Sequence, residues 1–207
     1  MTDCFEGHHY SKTVPLAKRP YCAILAFMIV LLIATNRPGS NTAKVAAHLA
    51  DIYKAKGHAP HIVDLHQLPP EIFSPSSYAE KPAAFAPFQE AISKASGVVI
   101  VTPEYNGGIP GVFKYFLDML QFPESFNGMP VAFVGLAAGI WGALRPVEQI
   151  EDILIYRRAV IFPERVNISG INNHLDDKGR VKTPELVERL EKQTDEFIKF
   201  LKQLGKL

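Results

Sequence analysis

Cysteine is nearly missing from this chain of 207 residues: there are two, Cys4 and Cys22, and both precede the first strand pattern. The body of the chain therefore has no disulfide framework, no thiolate zinc site and no catalytic thiol. Excess charge is missing as well. A formal net charge of +1 leaves no basic surface for nucleic acid. The lysines near the C-terminus alternate with glutamates, as on a solvated helix face. His58, His61 and His66 are close in sequence, but their spacing matches no standard metal motif and fits a surface around the second strand. No Gly-Lys-Ser/Thr ending and no Gly-x-Gly-x-x-Gly occur, which excludes the usual nucleoside-triphosphate and dinucleotide loops. The one long apolar run, residues 21–34, is too short to span a membrane comfortably.

What is present is a repeated alternation of strand and helix patterns. Short β-branched runs are expected as strands over residues 28–34, 61–65, 97–102, 130–136 and 159–162. Helical spacing is expected near 41–56, 82–95, 110–120, 142–156 and 184–204. Such alternation predicts a parallel sheet covered on both faces, and 47% hydrophobic residues suffice to bury its core in one domain. The fold class expected is α/β, a three-layer sandwich with a five-stranded parallel sheet, and right-handed crossovers with the order 2-1-3-4-5 would set the first and third strands side by side. Residues 68–82, with Pro69, Pro70, Pro75 and Pro82, are expected as a long surface loop, and Asp176-Asp177-Lys178-Gly179 as a turn. There is no internal repeat and no low-complexity tract.

Two loops stand out. Thr102-Pro103-Glu104-Tyr105-Asn106-Gly107-Gly108-Ile109-Pro110-Gly111 connects a buried strand pattern to a helix, at the carboxyl end of the sheet where open α/β folds bind ligands. Its composition also suits an ordinary βα turn with glycines for positive φ. Earlier, Thr35-Asn36-Arg37-Pro38-Gly39-Ser40-Asn41-Thr42 follows the first strand and enters a helix. Free amides, the positive end of the helix dipole, hydroxyls and one arginine together favour a phosphate. A helix cap needs only one of Ser40, Asn41 and Thr42. The absence of longer phosphate motifs makes a single phosphate monoester, as in a mononucleotide, the better ligand.

The pattern T-N-R-P-G-S-N-T after the first strand, with P-E-Y-N-G-x-I-P-G-x-x-K after the third, resembles the NAD(P)H-dependent FMN reductases of flavodoxin-like fold, from about Met28 to the C-terminus. The resemblance implies that Thr35, Arg37, Ser40, Asn41 and Thr42 hold the FMN phosphate. It implies that Pro103, Glu104, Tyr105, Asn106 and Gly107 line the flavin ring, and that Gly139, in the third loop Gly135-Leu136-Ala137-Ala138-Gly139-Ile140-Trp141-Gly142, adds a backbone donor. Departures are Ala137 and Gly108 where serine is usual, and Ala34 where glycine is usual. Ala137 removes a side-chain hydrogen bond to the flavin, while the changes at Gly108 and Ala34 remove no charge and add no bulk near the ring.

The same resemblance implies FMN as cofactor, NADPH or NADH as co-substrate, a ping-pong cycle with the chemistry carried by the flavin, and a small-molecule acceptor such as a quinone. It further implies a cytoplasmic homodimer or homotetramer with no nucleic-acid or membrane partner. The aromatic helix Phe113-Lys114-Tyr115-Phe116 offers either a subunit contact or core packing. A flavodoxin-type electron carrier and a non-catalytic interaction protein share the fold; the former usually docks through strong negative charge, which this chain lacks. Residues 1–27 resemble a basic flank with a short apolar region, but cleavage after that region would remove the first strand. They are expected to be a dispensable extension, disordered or the product of an upstream start, preceding the domain at 28–207.

Overall fold

Alternate residues of a strand face opposite sides of its sheet, so a strand covered on both sides must be apolar at every position. That is the pattern here. Val30, Leu32, Val98, Ile100, Val131 and Phe133 enter one core, while Ile29, Leu31, Val99, Val101, Ala132 and Val134 enter the other. The structure, a computed structural model, describes residues 27–207. Its strands are β1 (Ile29–Ile33), β2 (His61–Asp64), β3 (Gly97–Pro103), β4 (Pro130–Leu136) and β5 (Val160–Ile168), all parallel, in the order β2-β1-β3-β4-β5. Helices α1 (Asn41–Ala55) and α5 (Pro184–Gln203) cover one face, and α2 (Ala86–Lys94), α3 (Gly111–Met119) and α4 (Leu144–Tyr156) cover the other. The extension expected over residues 1–27 lies, apart from Phe27, outside the described residues.

Three expectations need correction. The fifth strand, expected at 159–162, continues to Ile168. Pro163, Glu164 and Arg165 interrupt its apolar run because the strand lies at the sheet edge and bulges there, shifting register opposite Val131 and Phe133. The helix expected from 142 begins at Leu144, since Gly142 and Ala143 are left-handed at φ +55° and +63°. The long loop at 68–82 is not loose. It folds into 3-10 turns at Pro70–Phe73 and Pro75–Tyr78, is anchored by fully buried Ile72, and the Tyr115 hydroxyl donates to the Ile72 carbonyl at 2.7 Å. The alternatives for the aromatic helix separate likewise: Phe113 and Phe116 are core, whereas Tyr115 packs outward between Phe73 and Tyr78.

Two buried polar side chains close backbone gaps that this topology leaves. Gln193, 4% exposed, donates from Nε2 to the carbonyls of Phe133 and Glu164, both at 2.8 Å, and so satisfies the bulge from the helix side. Gln193→Leu would strand both acceptors and is expected to cost about 2 kcal/mol, read as a lowered urea midpoint at unchanged slope. Arg157, 7% exposed, donates to the carbonyls of Leu117 at 3.1 Å and Gln121 at 2.7 Å, where α3 ends. Its guanidinium also lies 5.5 Å from the Phe122 ring centre and 5.8 Å from that of Phe126. A cation there matches the negative end of the helix dipole.

Candidate functional site

Because β1 and β3 are neighbours, the loops that leave their carboxyl ends rise side by side. A hydrogen bond ties them: the Thr35 and Tyr105 hydroxyls are 2.8 Å apart. Thr35 Oγ1 also accepts the Arg37 amide at 3.2 Å, which turns the first loop toward α1. Ser40 then caps that helix, its hydroxyl accepting the Ala43 amide at 3.1 Å. His66 braces the loop from the β2 side, with Nδ1 donating to the Asn36 carbonyl at 2.9 Å. The carbonyl can only accept, so Nδ1 carries the proton.

The second loop is a tight reversal. Tyr105 and Gly108 exchange backbone hydrogen bonds of 3.0 Å each, and Asn106 and Gly107 between them have φ of +51° and +74°, a type I′ geometry. Gly107 is required by that φ. Farther on, Gln149 of α4 accepts the Ile109 amide at 3.1 Å and fixes the loop's exit.

Between these loops lies a cleft of about 420 Å³, within the size range of small-molecule sites. Of the residues singled out in the sequence, Arg37, Ser40, Asn41, Thr42, Pro103, Glu104 and Tyr105 line it. The other four do not. Thr35 is 1% exposed and acts from beneath, through Tyr105. Asn106 and Gly107 form the turn beyond the wall, and the Gly139 carbonyl accepts the Gly170 amide at 3.1 Å. The third loop does reach the cleft, through Leu136, Ala137 and Ala138. The Ala137 amide is spent on the Ile168 carbonyl at 3.0 Å, leaving no donor there.

The loop after β5 was missed by sequence reasoning. Ile171 and Asn172 line the cleft, and Asn41 Nδ2 donates to Asn172 Oδ1 at 2.9 Å, closing the cleft beside the start of α1. With β5 expected to stop at 162, this loop had no reason to lie at the carboxyl edge; Phe162, Val166 and Ile168 on one face were the available signal.

The donor set fits the flavin mononucleotide that the resemblance implies. Helix geometry leaves the Asn41 and Thr42 amides without intrahelical acceptors, and no other described residue takes them. Arg37 stands exposed at the same end, outside any ion pair among the described residues. On the wall formed by the second loop, one carboxylate oxygen of Glu104, Oε2, is buried with no partner among the described residues. An anion-binding end and an unsatisfied polar wall in one cleft are what a phosphorylated heterocycle would use.

Comparisons with known proteins agree. The family profile described as NADPH-dependent FMN reductase matches residues 27–173. A quinone reductase of Escherichia coli K12 is 29% identical over 183 residues, covering 85% of this chain and 96% of that protein. An NADPH azoreductase of a Bacillus species is 25% identical over 180 residues, covering 86% and 98%. Among solved structures, FerB of Paracoccus denitrificans, a flavoenzyme NAD(P)H:(acceptor) oxidoreductase, superposes with a TM-score of 0.73 at 20% identity, covering 86% and 98%. Among the described residues no helix is long and apolar enough to cross a membrane.

Proposed function

This chain belongs to the NADPH-dependent FMN reductase family and is an NAD(P)H-dependent flavoenzyme, and on that premise we propose that it reduces quinones, with FMN held where the loops after β1 and β3 meet. The observation that carries this reading is the convergence of Arg37 and the free α1 amides on a cleft that is also walled by Pro103, Glu104 and Tyr105. Arg37 would fork on the phosphate, with Asn41 and Thr42 adding amides and side-chain donors. Ser40, whose hydroxyl is committed to the cap, contributes shape and backbone. Thr35 positions Tyr105, while Asn106, Gly107 and Gly139 set the course of their loops.

When bound, FMN would supply the redox chemistry, two-electron transfer from a nicotinamide to the acceptor. Overall, NAD(P)H, a proton and a quinone give NAD(P)⁺ and a hydroquinone. The residues bind, orient and leave one side open; none is required as acid or base for hydride transfer. A single open cleft suits a ping-pong order in which the nicotinamide departs before the acceptor enters. Quinones are chosen as acceptors because the E. coli relative, matched along almost its whole length, is a quinone reductase. The same reading carries a cytoplasmic homodimer or homotetramer, supported by the outward aromatic group of Phe73, Tyr78 and Tyr115.

Anaerobic titration tests the assignment. The purified protein should carry a flavin spectrum, bleach on NADPH and recover its colour with a quinone, with parallel initial-rate lines. A chain that takes up no FMN sinks the site; FMN that NADPH cannot bleach sinks the reductase. Gly107→Val sharpens the test. A β-branched residue at φ +74° strains the turn by about 2 kcal/mol, so the variant should keep part of its FMN affinity through Arg37 yet bleach at least tenfold more slowly in stopped flow. A wild-type bleaching rate would remove the turn from ring positioning.

A further inference from the structure

Two large apolar side chains stand exposed beside the cleft, Ile140 at 79% and Trp141 at 52%. They are not on a slack loop. The Ser169 hydroxyl donates to the Ile140 carbonyl at 2.6 Å, Asn167 Nδ2 donates to the Gly142 carbonyl at 3.0 Å, and Gly135, lacking a side chain, lets that carbonyl approach so closely that a Cβ would lie 2.8 Å from it. A loop clamped from below at Ile140 and Gly142 holds Ile140 and Trp141 in solvent, and exposed apolar surface so maintained marks a binding edge.

The edge also carries charge. Arg145, the second residue of α4, places its guanidinium 5.5 Å from the centre of the Trp141 ring. One of its nitrogens sits 3.5 Å from where a side chain on Gly107 would begin, so it reaches the tip of the second loop. Arg145 is exposed and has no carboxylate partner among the described residues. An indole face, an isoleucine and an unpaired fork thus share one lip between the second and third loops, both of which line the cleft through Tyr105 and Ala138.

Resting on the reductase reading, we propose that Ile140, Trp141 and Arg145 form an acceptor-selecting lip, which favours planar aromatic acceptors bearing an anionic substituent, such as sulfonated or ionised hydroxy-quinones. The ring stacks on Trp141 and Ile140 while the anion takes the guanidinium. The overall redox step is that given above.

Trp141 is the only tryptophan of the chain, so its fluorescence reports occupancy directly. In the oxidised holoprotein, naphthalene-2-sulfonate, which is not reduced, should quench Trp141 emission saturably. Arg145→Gln should raise its Kd about fivefold, with a clearly smaller change for uncharged 2-naphthol, and Arg145→Lys should recover part of the loss. In turnover, Arg145→Gln should raise KM for 1,2-naphthoquinone-4-sulfonate more than for 1,4-naphthoquinone. No quenching, or equal losses for charged and neutral probes, overturns the lip. So does a rise confined to the KM of NADPH, which would give the cation to the coenzyme. A Trp141→Ser variant that dissociates to monomers in light scattering also overturns it, since a second copy would then cover this edge. Absence of bound FMN or of NADPH bleaching in the unaltered protein would instead defeat the underlying reading, and is measured first.

Discussion

Arg37→Ala weakens FMN binding by about 1.5–3 kcal/mol, roughly ten- to 150-fold in Kd, while the fold survives. Its guanidinium is the nearest full positive charge on the first loop, and the cleft residues beside it offer only neutral donors. A phosphate dianion would lose its one charge-assisted partner. Fluorescence titration of the apoprotein with FMN, repeated with riboflavin, separates the effect from general loosening: riboflavin lacks the phosphate, so its affinity should hardly move. An unchanged Kd for FMN makes Arg37 an ordinary surface residue.

Arg157→Ala destabilises the protein by about 3 kcal/mol without touching the cleft. The variant strands the Leu117 and Gln121 carbonyls at the end of α3 and empties the space beside Phe122 and Phe126. No carboxylate pairs with this guanidinium among the described residues, so its substitution uncovers carbonyls rather than a lone charge. Urea unfolding should show a lowered midpoint; Arg157→Lys, which keeps the charge but not the fork, should recover less than half of the loss. A midpoint equal to wild type would mean that water serves these carbonyls equally well.

The central strands were legible because burial on both faces demands the uninterrupted β-branched runs that β1, β3 and β4 display. β5 was not, since an edge strand with a bulge tolerates Pro163, Glu164 and Arg165, which in a sequence look like its end. The two ligand loops could be found by composition, and the structure does bring them into one cleft. Their internal division of labour could not. Thr35 and Ser40 are both small hydroxyls in one loop, yet the first reaches a tyrosine 70 residues away and the second caps its own helix. Asn172 meets Asn41 across 131 residues, a contact no local pattern encodes. Composition singles out the loops that line the cleft; which hydroxyl faces it is decided by partners distant in the chain.

The shared hydroxyl contact of Thr35 and Tyr105 joins the two loops, and any coupling it carries between their ligands must be reciprocal. A ligand that orders the first loop through this contact is then expected to favour the ordered second loop, and equally in reverse. A phosphate ion alone should therefore pre-shape the opposite wall before any ring arrives, and a ring fragment alone should sharpen the preference for phosphate. Fragments occupying the two ends would then bind more tightly together than the product of their separate affinities, without ever touching each other.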